Sequence, residues 1–416
     1  MSDIFERIRH NMGPLGQYAD AAEGYYIFPK LEGELGNRMM FHGKEVIMWS
    51  INDYLGLANH PEVRKVDGEV FGQYGLAYPM GARMMSGNTD AHDALEKDLA
   101  SFVQKEQALL VNFGYQGMVS AIDCLLSRRD VVVYDADCHA CIVDGLRLHA
   151  GKRFSYKHND VASLEKHLQN AQKIANEAGG GVLVITEGVF GMQGEQGKLA
   201  EIVRLKQDYN FRLLVDDAHG FGTLGKTGAG AGEEQGVQDQ IDIYFSTFAK
   251  SMGSIGAFFA GDFDIMRYLK YNMRSQIFAK SMPIGQVLAN HKRLILLKSH
   301  PEMKDRLWRN VNYLQEGLRE AGFDIGNTNS CVTPVFMHGT VEEATALVQD
   351  LREAYHIFCS IVVYPVIPKG KILLRLIPTA SHEIEDIEIT IKAFLEVKDK
   401  LKSGAYQRSE IIIPEK

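Results

Sequence analysis

Continuous runs of apolar residues, separated by helix-type patterns, constrain the fold of this chain more than any other feature. Most of these runs do not alternate with polar residues, which is typical of strands buried on both faces of a sheet. They lie at 108–111, 130–135, 182–186, 212–216, 241–245 and 257–260. The sequence therefore predicts an α/β fold with a mainly parallel central sheet covered by helices.

Polar side chains stand at or near the ends of five of these runs, at Asn112, Asp135, Thr186, Asp216 and Thr247. In open parallel sheets, ligands bind beyond the carboxyl ends of the strands. We therefore expect the functional site at that edge of the sheet.

The pattern changes on either side of this region. A helix is predicted over 302–321, short strands over 332–337, 359–364 and 372–376, and a last helix over 384–401. We predict an N-terminal arm with a small β segment (1–60), a large α/β domain (61–294), a smaller α+β domain (295–403) and a loose polar tail (404–416).

Charge and composition exclude several classes of protein. The net charge is −8 and no long Lys or Arg run occurs, so a nucleic-acid partner is not expected. No stretch has the ~20 apolar residues of a membrane span. The N-terminus has early acidic residues and no apolar segment of a signal peptide. The five cysteines indicate reduced thiols and a cytoplasmic protein. Cys138 and Cys141 have redox-motif spacing, but no second pair exists, so no metal site is predicted.

Lys250 and Asp216 are the first candidates for chemistry. Lys250 follows a buried strand and is surrounded mostly by small residues, so a flat cofactor can approach it and form an imine with its amine. Asp216 ends the strand before, where a carboxylate can keep a pyridinium nitrogen protonated. Each residue alone also fits a surface lysine or a structural aspartate; their spacing is the more specific signal.

Four further residues fit the same chemistry. Gly114 and Tyr115 lie at a strand-to-helix corner, where free N–H groups bind phosphate, and the hydroxyl of Thr247 adds a possible donor. His139 follows another strand end and suits ring stacking or proton transfer. The alternatives are an ordinary turn for the corner and a hydrogen-bonded core histidine for His139.

Arg375 lies in the middle of a C-terminal strand among apolar neighbours. An arginine buried there needs a partner, and its planar fork suits a substrate carboxylate. A solvent-facing arginine on the strand is the alternative.

Several ordered segments resemble the α-oxoamine synthases, a family of fold-type I pyridoxal 5'-phosphate (PLP) enzymes. The resemblance runs from about Tyr25 to Leu401. The segments that carry it are Asn52–Leu57, Gly81–Gly87, Asp137–Ala140, Asp216–His219, Thr247–Ser251 and Leu374–Arg375.

The resemblance implies a role for each matching residue on the cofactor side. Lys250 would form the imine and remove the α-proton, Asp216 would face the pyridine nitrogen, His139 would stack on the ring and His219 would lie near the phenolic oxygen. Gly114, Tyr115 and Thr247 would hold the phosphate. The family often has a serine where this chain has Gly191, which puts that cofactor contact in doubt.

On the substrate side, the resemblance implies that Arg375 anchors the carboxylate and that Asn52 and Arg83 lie in the site. Lys280 is an extra cation in a segment that reaches the site in relatives. Family members are homodimers with the site at the subunit interface, so we expect a homodimer.

The implied reaction is a decarboxylative condensation of an amino acid with an acyl thioester, giving an α-amino ketone and carbon dioxide. The segments 272–275 and 281–283 resemble most the members that acylate serine. A related reaction uses L-cysteate, and Lys280 could pair with its sulfonate. Cysteate is slightly favoured over serine, with a long-chain acyl group on coenzyme A or an acyl carrier protein.

Other functions remain open at this point. Condensations of the 8-amino-7-oxononanoate or 2-amino-3-ketobutyrate type rank lower within the family. A fold-type I aminotransferase would share the lysine and the aspartate but transfer an amino group. A non-catalytic partner subunit is disfavoured, since it would have no need of Lys250.

Overall fold

The computed structural model describes residues 3–337, 339–364, 366–367 and 370–414. The strands are β1 Leu31–Glu32, β2 Arg38–Phe41, β3 Lys44–Met48, β4 Gln107–Val111, β5 Val131–Asp135, β6 Lys152–Tyr156, β7 Val182–Glu187, β8 Arg212–Asp216, β9 Ile243–Thr247, β10 Ala257–Gly261, β11 Thr333–Met337, β12 Ile357–Phe358, β13 Ser360–Val362 and β14 Ile372–Leu376.

The helices come mostly between these strands. They are α1 Ile4–His10, α2 Gly13–Gly16, α3 Ala19–Ala22, α4 Pro61–Tyr74, α5 Asp90–Phe102, α6 Gly114–Leu125, α7 Ala140–Leu148, α8 Val161–Ala178, α9 Leu199–Arg204, α10 Ala231–Glu234, α11 Phe263–Asn272, α12 Arg274–Ile277, α13 Ile284–Ser299, α14 Glu302–Glu320, α15 Val341–Glu353 and α16 Ile384–Lys402. Single 3-10 turns occur at Leu57–Asn59, Leu205–Gln207 and Gln238–Gln240.

The packing of the chain separates two compact units. One comprises the described residues of 1–51, 192–194 and 306–416, and the other comprises 52–191 and 195–305. The N-terminal segment and the C-terminal region thus belong to one unit. The sequence-based domain limits stay a prediction.

The larger unit is built on a seven-stranded sheet in the order β4-β10-β9-β8-β7-β5-β6. Strands β6, β5, β7, β8 and β9 are parallel to one another, whereas β10 is antiparallel to both β9 and β4. Strands β7, β9 and β10 are buried along their whole length, as their continuous apolar sequences predict. The predicted α/β fold with a mainly parallel sheet is confirmed.

The smaller unit contains two further sheets. One has the order β1-β2-β3-β12 and the other is the antiparallel sheet β11-β14-β13. Helices α14, α15 and α16 cover them, and Trp49, Leu314, Leu374 and Phe394 are among the buried side chains of that core. In the C-terminal tail, Tyr406 is buried and donates to the Asp350 carboxylate at 2.5 Å.

None of the described helices is long and apolar enough to cross a membrane.

Candidate active site

The carboxyl ends of the parallel strands bring several acids together at one edge of the large sheet. Strands β5, β7 and β8 end at Asp135, Glu187 and Asp216, and β9 ends beside them at Thr247. Glu187 lies directly opposite Asp216 in the register of β7 and β8. The site predicted at this edge therefore has a dense set of buried polar groups to build on.

Lys250 lies on a loop that is closed at both ends. Since β10 runs antiparallel to β9, Ala257 stands opposite Thr247 and the loop returns to the same sheet edge. The Phe248 N–H donates to the Gly256 carbonyl at 2.8 Å, and the Gly253 N–H donates to the Lys250 carbonyl at 2.8 Å. The backbone that carries the half-buried lysine is thus fixed by hydrogen bonds within the loop.

Asp216 is buried and lies near two basic side chains, Lys250 and His139. Its Oδ1 accepts from the Ala218 N–H at 3.1 Å. Burial raises the pKa of Asp216, and the charges of Lys250 and His139 oppose that shift. The structure therefore brings Lys250, Asp216 and His139 together. A carboxyl group whose pKa is raised by burial gains most from a further cationic partner.

Glu187 is a site residue that the sequence analysis missed. It is buried, and burial together with the charge of Asp216 raises its pKa well above the usual range. Its Oε1 accepts from the His139 N–H at 2.5 Å, so it fixes the backbone of the stacking candidate. The available signal was an acid immediately after Thr186 at the end of an apolar strand.

His139 has a defined orientation at the start of α7. Its Nδ1 accepts from the Cys141 N–H at 3.2 Å, which makes the imidazole the N-cap of that helix. Burial lowers the pKa of His139, so the ring is held neutral. A neutral ring fixed in this way suits the stacking role that the resemblance implies.

His219 is held by a tyrosine that the sequence analysis also missed. Its Nδ1 lies 2.7 Å from the hydroxyl of the fully buried Tyr54. The predicted site residue Asn52 stands two positions before Tyr54. The backbone carbonyl of Asn52 accepts from the Tyr54 N–H at 2.8 Å. The Asn52–Leu57 segment therefore reaches the site through Tyr54 at least.

Gly191 leaves room for His219. A Cβ atom at position 191 would lie only 2.0 Å from Nε2 of His219. The serine that the family often has here does not fit beside the imidazole in this position. The glycine at position 191, where the family often has a serine, therefore makes room for the imidazole of His219.

A candidate phosphate site is formed where β4 leads into α6. The N-cap Phe113 gives α6 no side-chain cap, so the N–H groups of its first turn have no intrahelical acceptor. A Cβ added to Gly114 would stand 3.6 Å from the Cβ of Thr247. The helix start and the Thr247 side chain therefore lie next to each other, as a shared phosphate site requires.

Two of the phosphate candidates use their side chains elsewhere in this structure. The Thr247 hydroxyl donates to the Gly256 carbonyl at 2.9 Å and accepts from the Ala249 N–H at 3.2 Å. The Tyr115 hydroxyl donates to Asp144 on α7. A phosphate contact from Thr247 would require its hydroxyl to leave Gly256, and Tyr115 can contribute its backbone N–H without rearrangement.

The guanidinium of Arg83 is engaged in hydrogen bonds inside the fold, which does not favour the predicted substrate role. Its side chain is buried and forms two hydrogen bonds with Glu96, at 2.6 and 3.1 Å. Its Nε donates to Asn88 Oδ1 at 2.6 Å and a further N–H approaches Asp93 at 3.5 Å. In this structure Arg83 forms an ion pair inside the fold, and its substrate role stays a prediction.

The two remaining substrate candidates lie in different units. Lys280 is exposed, and its backbone carbonyl accepts from the Asn112 side chain at the end of β4, so its segment borders the site edge. Arg375 is half-buried on β14 of the smaller unit, where it pairs with Pro334 and Ser360. Its role as carboxylate anchor stays a prediction.

Asp217, next to Asp216, is enclosed by glycines. Its Oδ2 accepts from the Ala231 N–H at 2.8 Å and from the Tyr244 hydroxyl at 3.1 Å. Burial raises its pKa to about 8. A Cβ at any of three glycines would lie within 1.8 to 2.1 Å of its carboxylate oxygens; these are Gly188, Gly220 and Gly230. Asp217 is therefore a packed structural partner of the catalytic strand end.

The residues at this edge fit PLP. A primary amine, a buried carboxyl group and a neutral imidazole converge there, and an uncapped helix start lies against a small-residue corner. These are the groups that an aldehyde, a ring nitrogen, a ring face and a phosphate need. Among the described residues, no group of three His, Cys, Asp or Glu side chains could hold a metal ion.

Comparisons with known proteins place the chain in a family. Residues 44–394 match the family model of aminotransferase class I and II. The chain is 65% identical to a cysteate-C-fatty acyltransferase of Capnocytophaga ochracea over 98% of this chain and 97% of that protein. It is 35% identical to a serine palmitoyltransferase of Sphingobacterium spiritivorum, over 90% of this chain and 92% of that one.

A solved structure shows the same fold. The serine palmitoyltransferase of S. paucimobilis, with a bound PLP–myriocin aldimine, superposes with a TM-score of 0.90 at 26% identity over 97% of this chain and 100% of that chain. The match covers both compact units. Together with the family model, these similarities establish that the chain belongs to the α-oxoamine synthases, within the class I and II aminotransferase family.

Proposed function

We propose that this protein binds PLP on Lys250 and condenses L-cysteate with a long-chain acyl thioester. The amino acid loses its carboxyl group as carbon dioxide, the thioester releases a thiol, and the product is a 3-keto amine that keeps the sulfonate. Such a product is the first intermediate of a sulfonolipid base. The observation that carries this proposal is the 65% identity to a cysteate acyltransferase, against 35% to a serine palmitoyltransferase.

Each residue at the sheet edge has a separate role in the proposed reaction. Lys250 Nζ is the base that takes the α-proton, because it is an amine whose charge acts on both buried carboxyl groups, Glu187 and Asp216. Asp216 would keep the ring nitrogen of bound PLP protonated. PLP supplies the electron sink that this carbanion chemistry needs. His139 fixes the ring face, and Tyr54 fixes the orientation of His219.

Lys280 is our candidate for the sulfonate contact. It is an exposed cation on the segment joined to Asn112. A fixed ammonium group favours a sulfonate over a hydroxymethyl group because a charge-assisted hydrogen bond contributes about 1.5–3 kcal/mol. We therefore expect cysteate to exceed serine in kcat/KM by roughly 10- to 100-fold.

The experiment offers the purified protein cysteate, serine, glycine and alanine, each with palmitoyl-coenzyme A, and measures thioester-dependent carbon dioxide release. Cysteate is expected to react best, and borohydride is expected to trap a chromophore on Lys250. The variant Lys250→Ala should lose both signals, whereas Lys166→Ala, at an exposed position on α8, should keep them. Faster reaction of serine would overturn the substrate assignment but not the cofactor assignment.

Serine remains the second candidate because serine palmitoyltransferases share the fold and most of the chain length. The variant Lys280→Met separates the two: its KM should rise for cysteate and stay constant for serine. We also propose a cytoplasmic homodimer with the site at the subunit interface, and an acyl donor carried by coenzyme A or by an acyl carrier protein.

A further inference from the structure

His158 is a charged bridge beside the candidate site that no step of the proposed reaction uses. Its Nδ1 lies 2.9 Å from Asp135 Oδ1, and its Nε2 lies 3.2 Å from Glu195 Oε2. Both ring nitrogens therefore face carboxylates. An imidazole satisfies both only when each nitrogen carries a proton, that is, as the cation.

One side of this bridge supports the loop that carries His139. The buried Asp135 ends β5, and its Oδ1 also accepts from the Asp137 N–H at 2.9 Å. Its Oδ2 accepts from the Asn159 N–H at 2.9 Å. Asp135 thus fixes the chain two residues before His139, and His158 supplies the positive charge that this buried carboxylate needs.

The other side of the bridge supports the turn that carries Gly191. The Phe190 N–H donates to the Glu195 carbonyl at 2.9 Å, and the Phe190 ring meets the imidazole of His158 edge-on, with 4.4 Å between ring centroids. The Asn159 side chain donates to the Gln196 carbonyl at 3.0 Å. Gly191, next to Phe190, is the residue that lies against His219.

We propose that His158 is a positioning residue that, as a cation between Asp135 and Glu195, joins the His139 loop to the Gly191 turn. The two histidines that are proposed to contact the cofactor are then held by one ion bridge. This inference rests on the proposed PLP function, since it concerns the shape of that pocket.

The groups that face His158 favour the cation. Burial lowers its pKa, but the hydrogen bond to Asp135 and the charges of Asp135, Asp137 and Glu195 outweigh burial and raise it. The pKa of His158 is higher in the folded protein than its ordinary value of 6.5 in the unfolded chain. The bridge therefore stabilises the folded state fully below pH 6.5, and this contribution is lost as the pH rises through the folded-state pKa. The bridge should therefore weaken at alkaline pH.

The test titrates the cofactor-free protein with PLP and measures the dissociation constant by visible absorbance. Wild type, His158→Gln and Glu195→Gln are compared at about pH 6.5 and about pH 9. At each pH, the dissociation constant of the variant is divided by that of wild type, so that pH effects common to both proteins cancel. For His158→Gln we expect a ratio of about 10 at the lower pH, falling towards 1 at the higher pH.

A matched control is His300→Gln, which removes an exposed histidine that pairs with Glu302 at 2.7 Å. Its ratio should stay near 1 at both pH values. Far-ultraviolet circular dichroism of the cofactor-free proteins shows whether each variant folds. If His158→Gln does not fold, Glu195→Gln serves instead, because it keeps the pair of His158 with Asp135. Its ratio should also be above 1 at the lower pH and fall at the higher pH, but it should be smaller.

A ratio near 1 at both pH values for the folded variants would overturn the proposal. A ratio that is raised equally at both pH values would also overturn it, because neutral packing would then explain the effect. If wild type binds no PLP on Lys250, the proposed function fails and this inference fails with it. If wild type binds PLP and the variants match it, only the inference fails.

Discussion

Single residues in this site have properties that depend on their neighbours more than on their type. Burial raises the pKa of Asp216 against the opposing effect of Lys250 and His139, and burial together with the charge of Asp216 raises the pKa of Glu187. The sequence predicted Lys250, Asp216 and His139, and the structure brings them together. The sequence analysis did not single out Glu187 or Tyr54, because their roles come from contacts across distant segments.

Replacing Asp216 by asparagine tests the charge at nearly constant volume. Removing one partner of a buried charge pair costs about 3–5 kcal/mol, so kcat/KM should fall by roughly 10²- to 10³-fold or more while PLP stays bound. Steady-state kinetics and the visible spectrum measure the two effects. The exposed Asp208→Asn is the control and should behave as wild type. Full activity in Asp216→Asn would contradict the assigned role.

Gly191→Ala tests the space beside His219. The added Cβ would lie 2.0 Å from the imidazole nitrogen, so the ring or the turn must move. Overpacking of this kind costs about 1–3 kcal/mol of the free energy of unfolding, and the cofactor absorbance should shift as well. Gly181→Ala is matched, because its Cβ would meet only Asp130 Oδ1 at 3.8 Å. Equal urea midpoints for the two variants would show that the crowding is relieved without cost.

At the scale of elements, buried strands were predictable and the exposed strand was not. Strands β4, β5, β7, β8, β9 and β10 have continuous apolar sequences, and helix α14 begins at the predicted residue. Strand β6 was missed because it forms the edge of the sheet and exposes Lys152, Arg153 and Ser155. Its sequence has no continuous apolar run, and its only alternating apolar residues, Phe154 and Tyr156, are too few for a strand signal.

The Arg83–Glu96 pair connects a turn to the sheet. Glu96 on α5 also accepts from the Leu110 N–H of β4 at 2.8 Å. Lysine cannot form the two parallel bonds of arginine, so Arg83→Lys should lower the free energy of unfolding by about 2–3 kcal/mol. The KM for the amino acid should not change. Urea unfolding measures the stability, and steady-state kinetics measure the KM.

The control for this pair is Arg147→Lys, since Arg147 forms an exposed pair with Asp144. Its stability should change by less than about 0.5 kcal/mol. A raised KM in Arg83→Lys with unchanged stability would instead support the predicted substrate role of Arg83.

For the whole molecule, buried titratable groups predict a narrow range of maximal stability. Burial lowers the pKa of His92 and of His382 to about 4, so both resist protonation and stability falls as the pH drops below 6.5. Asp217 acts oppositely: its folded pKa of about 8 lies above the ordinary 3.8. The unfolded chain therefore releases this proton first, and stability falls as the pH rises towards 8.

We expect the urea midpoint of the cofactor-free protein to be highest near pH 6.5 and to decrease on both sides. Between pH 6.5 and 8, Asp217 should account for a loss of about 1–2 kcal/mol. Asp217→Asn should reduce that loss, and Asp208→Asn should not. A midpoint that stays constant from pH 6.5 to 8 would contradict this account of Asp217.

The glycines around Asp217 have an evolutionary consequence. Gly188, Gly220 and Gly230 come from three separate stretches of chain, yet one carboxylate forbids a side chain at each of them. Any lineage that keeps the aspartate must keep all three positions bare, so mutational drift at these sites is coupled. A smaller residue at 217 would remove this restriction at Gly188 and Gly220, so sequences that diverge at 217 should change there together, whereas Gly230 stays restricted by its φ of +111°.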